Sequence, residues 1–259
     1  MLSLSPSKVN TYLQCPFKYR CEVDTDIRKK YRKDTVYTIF GNLIHACLND
    51  LYKRTKKEDR SFQKLKDLFK EKFIKDFENH KKIFKTKDNI ILYVKKSQEM
   101  FKNFIGSELF DAEPISTEEY PKCIINNELE LGGKFDRIDL VGNEIRLIDY
   151  KTGRLKEDAI DKFQLNLYEL LLNKCRPNNP VKEKLLYYLE ENKIIKYPSM
   201  EDKVVETEER LLAIADAISK DKEFIPKPNN MCRFCDYITI CPIQNKRQPE
   251  IIKCLKDTS

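Results

Sequence analysis

The chain has 259 residues, 41% hydrophobic, 35% charged and 10% aromatic, with 49 Lys and Arg against 42 Asp and Glu for a net charge of +7. This is enough chain for one large domain or two small ones around a buried core, and too aromatic for a disordered protein. No stretch approaches the ~18 apolar residues of a membrane span, and Met1 to Ser7 lacks a signal-peptide core, which predicts a cytoplasmic protein with no membrane partner. The cationic surplus is compatible with a polyanionic partner, because cations that neutralise phosphates release condensed counterions.

In chain order, residues 7–20 carry a helical pattern with Ser7 as a candidate N-cap. Residues 38–58 predict a second helix, with Phe40, Leu43, Ile44, Cys47, Leu48 and Leu51 at helical spacing. An amphipathic, Lys-rich helix follows over 61–82 and a fourth over 87–106. The period then shortens to that of strands over 119–126, 129–140 and 144–151, with Asn- or Gly-containing turns between them. Residues 157–174 return to a helical period, 182–190 and 193–198 read as a strand pair turning near Glu191 and Asn192, and 201–220 are helical. The Pro-, Asn- and Cys-rich tail over 224–259 is expected to be irregular. The order predicts an α/β fold in one domain over 1–259: a helical part (1–110), a core (111–222) and a cysteine-rich tail (223–259).

Two strands concentrate the chemistry. Asp136 lies in Gly133-Lys134-Phe135-Asp136-Arg137-Ile138-Asp139, and Asp149 and Lys151 lie in Ile148-Asp149-Tyr150-Lys151-Thr152-Gly153. A turn at Gly142-Asn143 makes the strands antiparallel neighbours, and alternation puts Asp149 and Lys151 on one face. Carboxylates and an ammonium on a core sheet are costly to bury. A divalent cation with oxygen ligands, Mg²⁺ or Mn²⁺, would offset that cost and acidify a bound water, with Lys151 steadying charge on phosphorus. A salt-bridge cluster is the alternative. His45 follows Gly41 by one helical turn, where the missing side chain leaves room for another element. His80 lies in a charged run that reads as solvated.

Nine cysteines in a reducing compartment argue for ligation over disulfides. Cys232, Cys235 and Cys241 form C-x-x-C-x5-C and need a fourth soft ligand, for Zn²⁺ or for an iron–sulfur cluster. Cys15, before Pro16, is one candidate; Cys254 is close in sequence but lies beyond Pro242 and Pro249. Cys21, Cys47, Cys123 and Cys175 read as free or buried thiols.

The run G-x-x-D-R-I-D, then I-D-Y-K-T-G, then Gln164-x-x-x-Tyr168 resembles the RecB-like branch of the PD-(D/E)XK nuclease superfamily, over nearly the whole chain. The resemblance implies a restriction-endonuclease-like core, a central mixed sheet flanked by helices. It implies a metal-dependent deoxyribonuclease, an exonuclease on single-stranded ends in repair or recombination. It further implies His45, Asp136, Asp149 and the Tyr150 carbonyl as Mg²⁺ or Mn²⁺ ligands, Lys151 as the catalytic lysine, and Gln164 and Tyr168 as residues completing the site. Glu119, with Glu118 as the other choice, is implied near the metal or the DNA. Cys15, Cys232, Cys235 and Cys241 are implied to bind a [4Fe–4S] cluster, with Zn²⁺ as the alternative. Family members also include CRISPR-associated nucleases that act in spacer acquisition. A non-catalytic nucleic-acid-binding module is the competing class. No Walker A loop is present, so a helicase, or CRISPR adaptation proteins, would be separate partners.

Overall fold

A computed structural model describes residues 1–156 and 162–243. The chain divides into two units. One comprises residues 1–33, 125–130 and 208 onward; the other comprises 34–124 and 131–207.

The first unit begins with strand β1 (Leu2–Leu4) and helices α1 (Pro6–Gln14), α2 (Pro16–Val23) and α3 (Thr25–Tyr31). The single helix expected over 7–20 is two, and the cap of the first is Ser5, whose hydroxyl accepts from the Lys8 N–H, rather than Ser7. Cys15 is extended (φ −164°, ψ 107°) and Pro16 opens α2. The reason is proline itself: it has no N–H to continue a helix and pushes the residue before it out of the helical region. The Leu2 N–H donates to the Glu128 carbonyl at 2.7 Å, so β1 runs beside the tip of a hairpin formed by β3 (Lys122–Asn126) and β4 (Leu129–Gly132). Tyr12, Tyr19 and Phe224 form an aromatic cluster with centroids 5.5 to 6.4 Å apart, and the Tyr12 hydroxyl donates to Asp221 at 3.0 Å. The described part of the tail holds only two short 3-10 turns, at Cys232–Phe234 and Ile238–Ile240.

The second unit places a helical layer on a sheet. Its helices are α4 (Val36–Lys53), α5 (Phe62–Lys75), α6 (Phe77–Phe84) and α7 (Lys87–Ile105). The sheet joins β2 (Pro114–Glu119), β5 (Phe135–Val141), β6 (Glu144–Lys151), β7 (Val181–Tyr188) and β8 (Lys193–Pro198), in the order β2-β5-β6-β7-β8. Only β6 and β7 pair in parallel, and the chain between them contains helix α8 (Lys162–Cys175). The remaining helix, α9 (Glu201–Lys220), follows β8 and continues into the first unit.

Period decides which side each residue buries. Phe40, Ile44, Leu48 and Leu51 of α4 pack with Leu65 and Phe69 of α5, Phe101 and Phe104 of α7, and Ile148, Tyr150, Leu185 and Tyr187 of the sheet. Each such side chain contributes roughly 1.5–3 kcal/mol when fully buried. The alternate residues Leu186 and Tyr188 meet Leu165 of α8, so α8 covers the opposite face. Asp149 and Lys151 alternate with Ile148 and Tyr150 and stand in register with Leu186 and Tyr188.

Several sequence expectations change here. The helix expected over 61–82 breaks at Asp76, which leaves helical geometry (φ −126°, ψ 42°) between α5 and α6. The break turns His80 inward: it is 5% exposed, its Nδ1 meets the Phe73 carbonyl at 2.8 Å, and its ring lies 4.9 Å from that of Phe73. It is not solvated. The strand expected over 129–140 divides at Gly133 and Lys134 into β4 and β5, which belong to different sheets. Strand β2 had no sequence counterpart before Glu119, being an edge strand with only partial alternation. The β5–β6 turn at Gly142 is as expected, with φ +66° that glycine adopts without strain. The beginning of the helix expected over 157–174, and Cys254, lie outside the described residues.

Candidate active site

Helix α4 brings the most distant residue to the site. A capping box at Thr35 and Thr38 starts it, and its apolar stripe anchors it to the sheet, with His45 beside that stripe. One turn earlier stands Gly41, where an added Cβ would lie 3.2 Å from Thr152 Oγ1. The glycine therefore admits the segment that follows Lys151. The expectation that another element approaches at Gly41 is met by Thr152.

His45 Nδ1 meets Asp136 Oδ1 at 2.9 Å, and the Tyr150 N–H donates to Asp136 Oδ2 at 2.9 Å. Both oxygens of Asp136 thus hold partners, one from the helical layer and one from the neighbouring strand. The Lys151 ammonium lies against Asp149 Oδ2. That oxygen is sealed from water yet accepts no hydrogen bond of good geometry among the described residues. Asp149 and Lys151 open partly to solvent, with side chains 24% and 39% exposed.

The electrostatics follow from this crowding. Burial raises Asp149 above the ordinary carboxylate value; Lys151 opposes this and the neighbouring charge of Asp136 adds to it. Burial acts the same way on Asp136, but its hydrogen bond with His45 and the charge of His45 prevail and hold it low. Burial disfavours protonated His45, yet Asp136 and Asp149 together raise it. Lys151 is likewise held up by Asp149 against the cost of burial. Two carboxylates whose environments push them apart form an unequal pair.

On α8, Gln164 hydrogen-bonds the Tyr168 side chain, and the Tyr168 ring packs 5.1 Å from that of Phe135. Burial raises the Tyr168 phenol, with Asp149 adding to it. So His45, Asp136, Asp149, Lys151, Gln164 and Tyr168 converge in the second unit. Glu119 stands opposite Phe135 on β2, but both its oxygens accept from Arg176 Nη2, at 3.0 and 2.8 Å. Glu118 accepts from Lys134 at 2.8 Å. Sequence reasoning gave no role to Arg137, which is completely buried. Its guanidinium donates to Asp139 at 2.6 and 2.9 Å, to the Tyr52 hydroxyl at 2.7 Å and to the Ala112 carbonyl at 3.0 Å. Its place beside Asp136 in the motif was the available signal.

The cysteines gather in the first unit. Cys15, Cys232, Cys235 and Cys241 line one apolar cavity with Pro226, Pro228, Ile238 and Ile243. Backbone N–H groups aim at the sulfurs: Lys227 donates to Cys15 at 3.4 Å and Asn229 to Cys232 at 3.3 Å. Hydrogen bonds of this kind tune a sulfur ligand where one is bound. Among the described residues, no group of three or more His, Cys, Asp or Glu side chains is already spaced to hold a metal ion. At the carboxylates, His45 holds an oxygen of Asp136 and Lys151 one of Asp149.

The mixed sheet flanked by helices has the restriction-endonuclease-like architecture. The chain belongs to the PD-(D/E)XK nuclease superfamily, whose family model matches residues 3–242. Among curated proteins it is similar to an ATP-dependent helicase/deoxyribonuclease subunit of Thermoanaerobacter sp. (strain X514), 25% identical over 286 aligned positions, covering 92% of this chain and 24% of that one. It is also similar to the protein of the same name from Clostridium perfringens (strain SM101 / Type A), 28% identical over 203 positions, covering 66% of this chain and 17% of that one. The chain thus spans about a quarter of those relatives or less. A crystal structure of a "Putative exonuclease" from Eubacterium rectale shares the fold, with TM-score 0.53 and 13% identity, covering 91% of this chain and 87% of that one. Among the described residues no helix is long and apolar enough to cross a membrane.

Proposed function

We propose that this chain is a metal-dependent deoxyribonuclease that hydrolyses phosphodiester bonds at single-stranded DNA ends, as an exonuclease in repair or recombination. The observation that carries the reading is the convergence of His45, Asp136, Asp149 and Lys151 from a helix and two strands. The names of the helicase/deoxyribonuclease relatives favour DNA as substrate and a separate helicase as partner.

His45, Asp136, Asp149 and the Tyr150 carbonyl would hold Mg²⁺ or Mn²⁺, and the donor set of oxygens with one imidazole suits either. The cation supplies a polarised phosphodiester and a more acidic water. The Tyr150 N–H fixes the Asp136 carboxylate, and His45 ties it to α4. Lys151, released from Asp149, orients the water and steadies charge on phosphorus. Gln164 and Tyr168 would complete the site from α8, and Glu119 would act from outside the ligand set.

Cys15, Cys232, Cys235 and Cys241 would hold a [4Fe–4S] cluster, a staple between segments far apart in sequence. Purification without oxygen, followed by iron, sulfide and zinc analysis, separates it from Zn²⁺. Iron and sulfide in equal amounts support the cluster; zinc alone overturns it and leaves the nuclease reading intact.

The activity test uses end-labelled single-stranded and duplex DNA with Mg²⁺ or Mn²⁺. Cleavage of the single strand by wild type and its loss in Lys151→Ala is the expected result. No cleavage, or equal cleavage by the variant, overturns the proposal.

A further inference from the structure

One pair of thiols belongs neither to the carboxylate site nor to the four-cysteine cavity. Cys175 ends α8 and Cys123 is the second residue of β3; both are half-buried. Their side chains are hydrogen-bonded to each other. An independent contact fixes the neighbourhood: Arg176 holds both carboxylate oxygens of Glu119, at 3.0 and 2.8 Å. The chain at 119–123 therefore lies along the end of α8.

We propose that Cys123 and Cys175 are a redox modification site, which closes to a disulfide by exchange with a small-molecule disulfide. One cysteine thiolate attacks a sulfur of the small disulfide, whose S–S bond breaks and releases one small thiol. The other cysteine thiolate attacks the protein sulfur of the mixed disulfide, forms the Cys123–Cys175 bond and releases the second small thiol. Two protein thiols are oxidised and one small disulfide is reduced, so electrons and protons balance.

The bond would close a loop that contains Asp136, Asp149, Lys151, Gln164 and Tyr168, every member of the converging set except His45. It would pin the last turn of the helix that presents Gln164 and Tyr168. Burial holds the Cys175 thiol above its ordinary value, with Cys123 pulling it partly back. Attack by Cys175 itself therefore quickens as pH rises.

The test treats the full chain with oxidised glutathione, quenches with acid and N-ethylmaleimide, and digests without reductant. Mass spectrometry is expected to find peptides joined through Cys123 and Cys175, with loss of alkylation at both. Dithiothreitol restores both thiols. In Cys123→Ser, Cys175 is expected as a mixed glutathione disulfide, and in Cys175→Ser the same holds for Cys123. Wild type with both residues alkylated, singly glutathionylated, or joined to other cysteines overturns the proposal. The readout is covalent and does not depend on nuclease activity.

Discussion

His45 and Asp136, 91 positions apart in the chain, meet Nδ1 to Oδ1 at 2.9 Å. The contact joins the helical layer to the sheet at the point where the chemistry is proposed. Replacing Asp136 by Asn keeps the shape but removes the charge that His45 and the Tyr150 N–H both address. Cleavage is expected to fall about 10²–10³-fold, with the circular-dichroism spectrum unchanged. A variant that cuts at the wild-type rate would remove Asp136 from the site.

Gly41 faces Thr152 Oγ1 across the gap a Cβ would fill at 3.2 Å. Alanine within a helix is worth about 1 kcal/mol over glycine, so Gly41→Ala is expected to melt near the wild-type temperature. Activity is expected to drop because Thr152 adjoins Lys151 and must give way. The double variant with Thr152→Ala should recover cleavage. Full activity in the single variant would show that the contact is slack.

Lys184 and Glu169 form an ion pair with side chains 4% and 1% exposed, completed by Asn166 at 3.1 Å and by the Ser199 hydroxyl. Removing one charge strands the other. Lys184→Met is expected to cost about 3–5 kcal/mol in urea unfolding, and the double variant with Glu169→Leu much less. Equal losses in both would mean that packing, and not the charge, dominates there.

Asp50 accepts from Lys72 at 2.5 Å and Arg54 at 2.8 Å. Burial alone would raise its carboxyl, but these two cations lower it. A carboxylate lowered on folding contributes stability above its unfolded pKa, and that contribution disappears as pH falls through the folded value. Asp50→Asn is therefore expected to lose about 1–2 kcal/mol at neutral pH and to show a flatter acid limb. Melting temperatures of both proteins across the acid range provide the measurement; parallel curves would contradict it.

The core of the candidate site was legible because it lies on short-range patterns. Alternation placed Asp149 with Lys151, a Gly-Asn turn brought Asp136 alongside, and helical spacing joined Gln164 to Tyr168. The family resemblance, and not the spacing, joined Cys15 to the tail cysteines more than two hundred residues away, and the structure gathers all four around one cavity. What escaped depends on tertiary context. Nothing local to β2 marks an edge strand, and Asp76 breaks a helix without Gly or Pro. His80 is buried by the turn that this break creates, not by its neighbours in sequence. Arg137 is in the motif, yet only Tyr52 and Ala112, from other elements, reveal that it is buried and satisfied.

The first unit draws on the beginning of the chain and on its last described residues, with Lys227 reaching Cys15 across 212 positions. During synthesis at ~5–20 residues per second, the early segment waits roughly 10–40 s for its partners. Throughout that interval the Cys15 thiol and the aromatic rings of Tyr12 and Tyr19 lack the neighbours that later cover them. The first unit is therefore completed late, once the residues around Lys227 have been made.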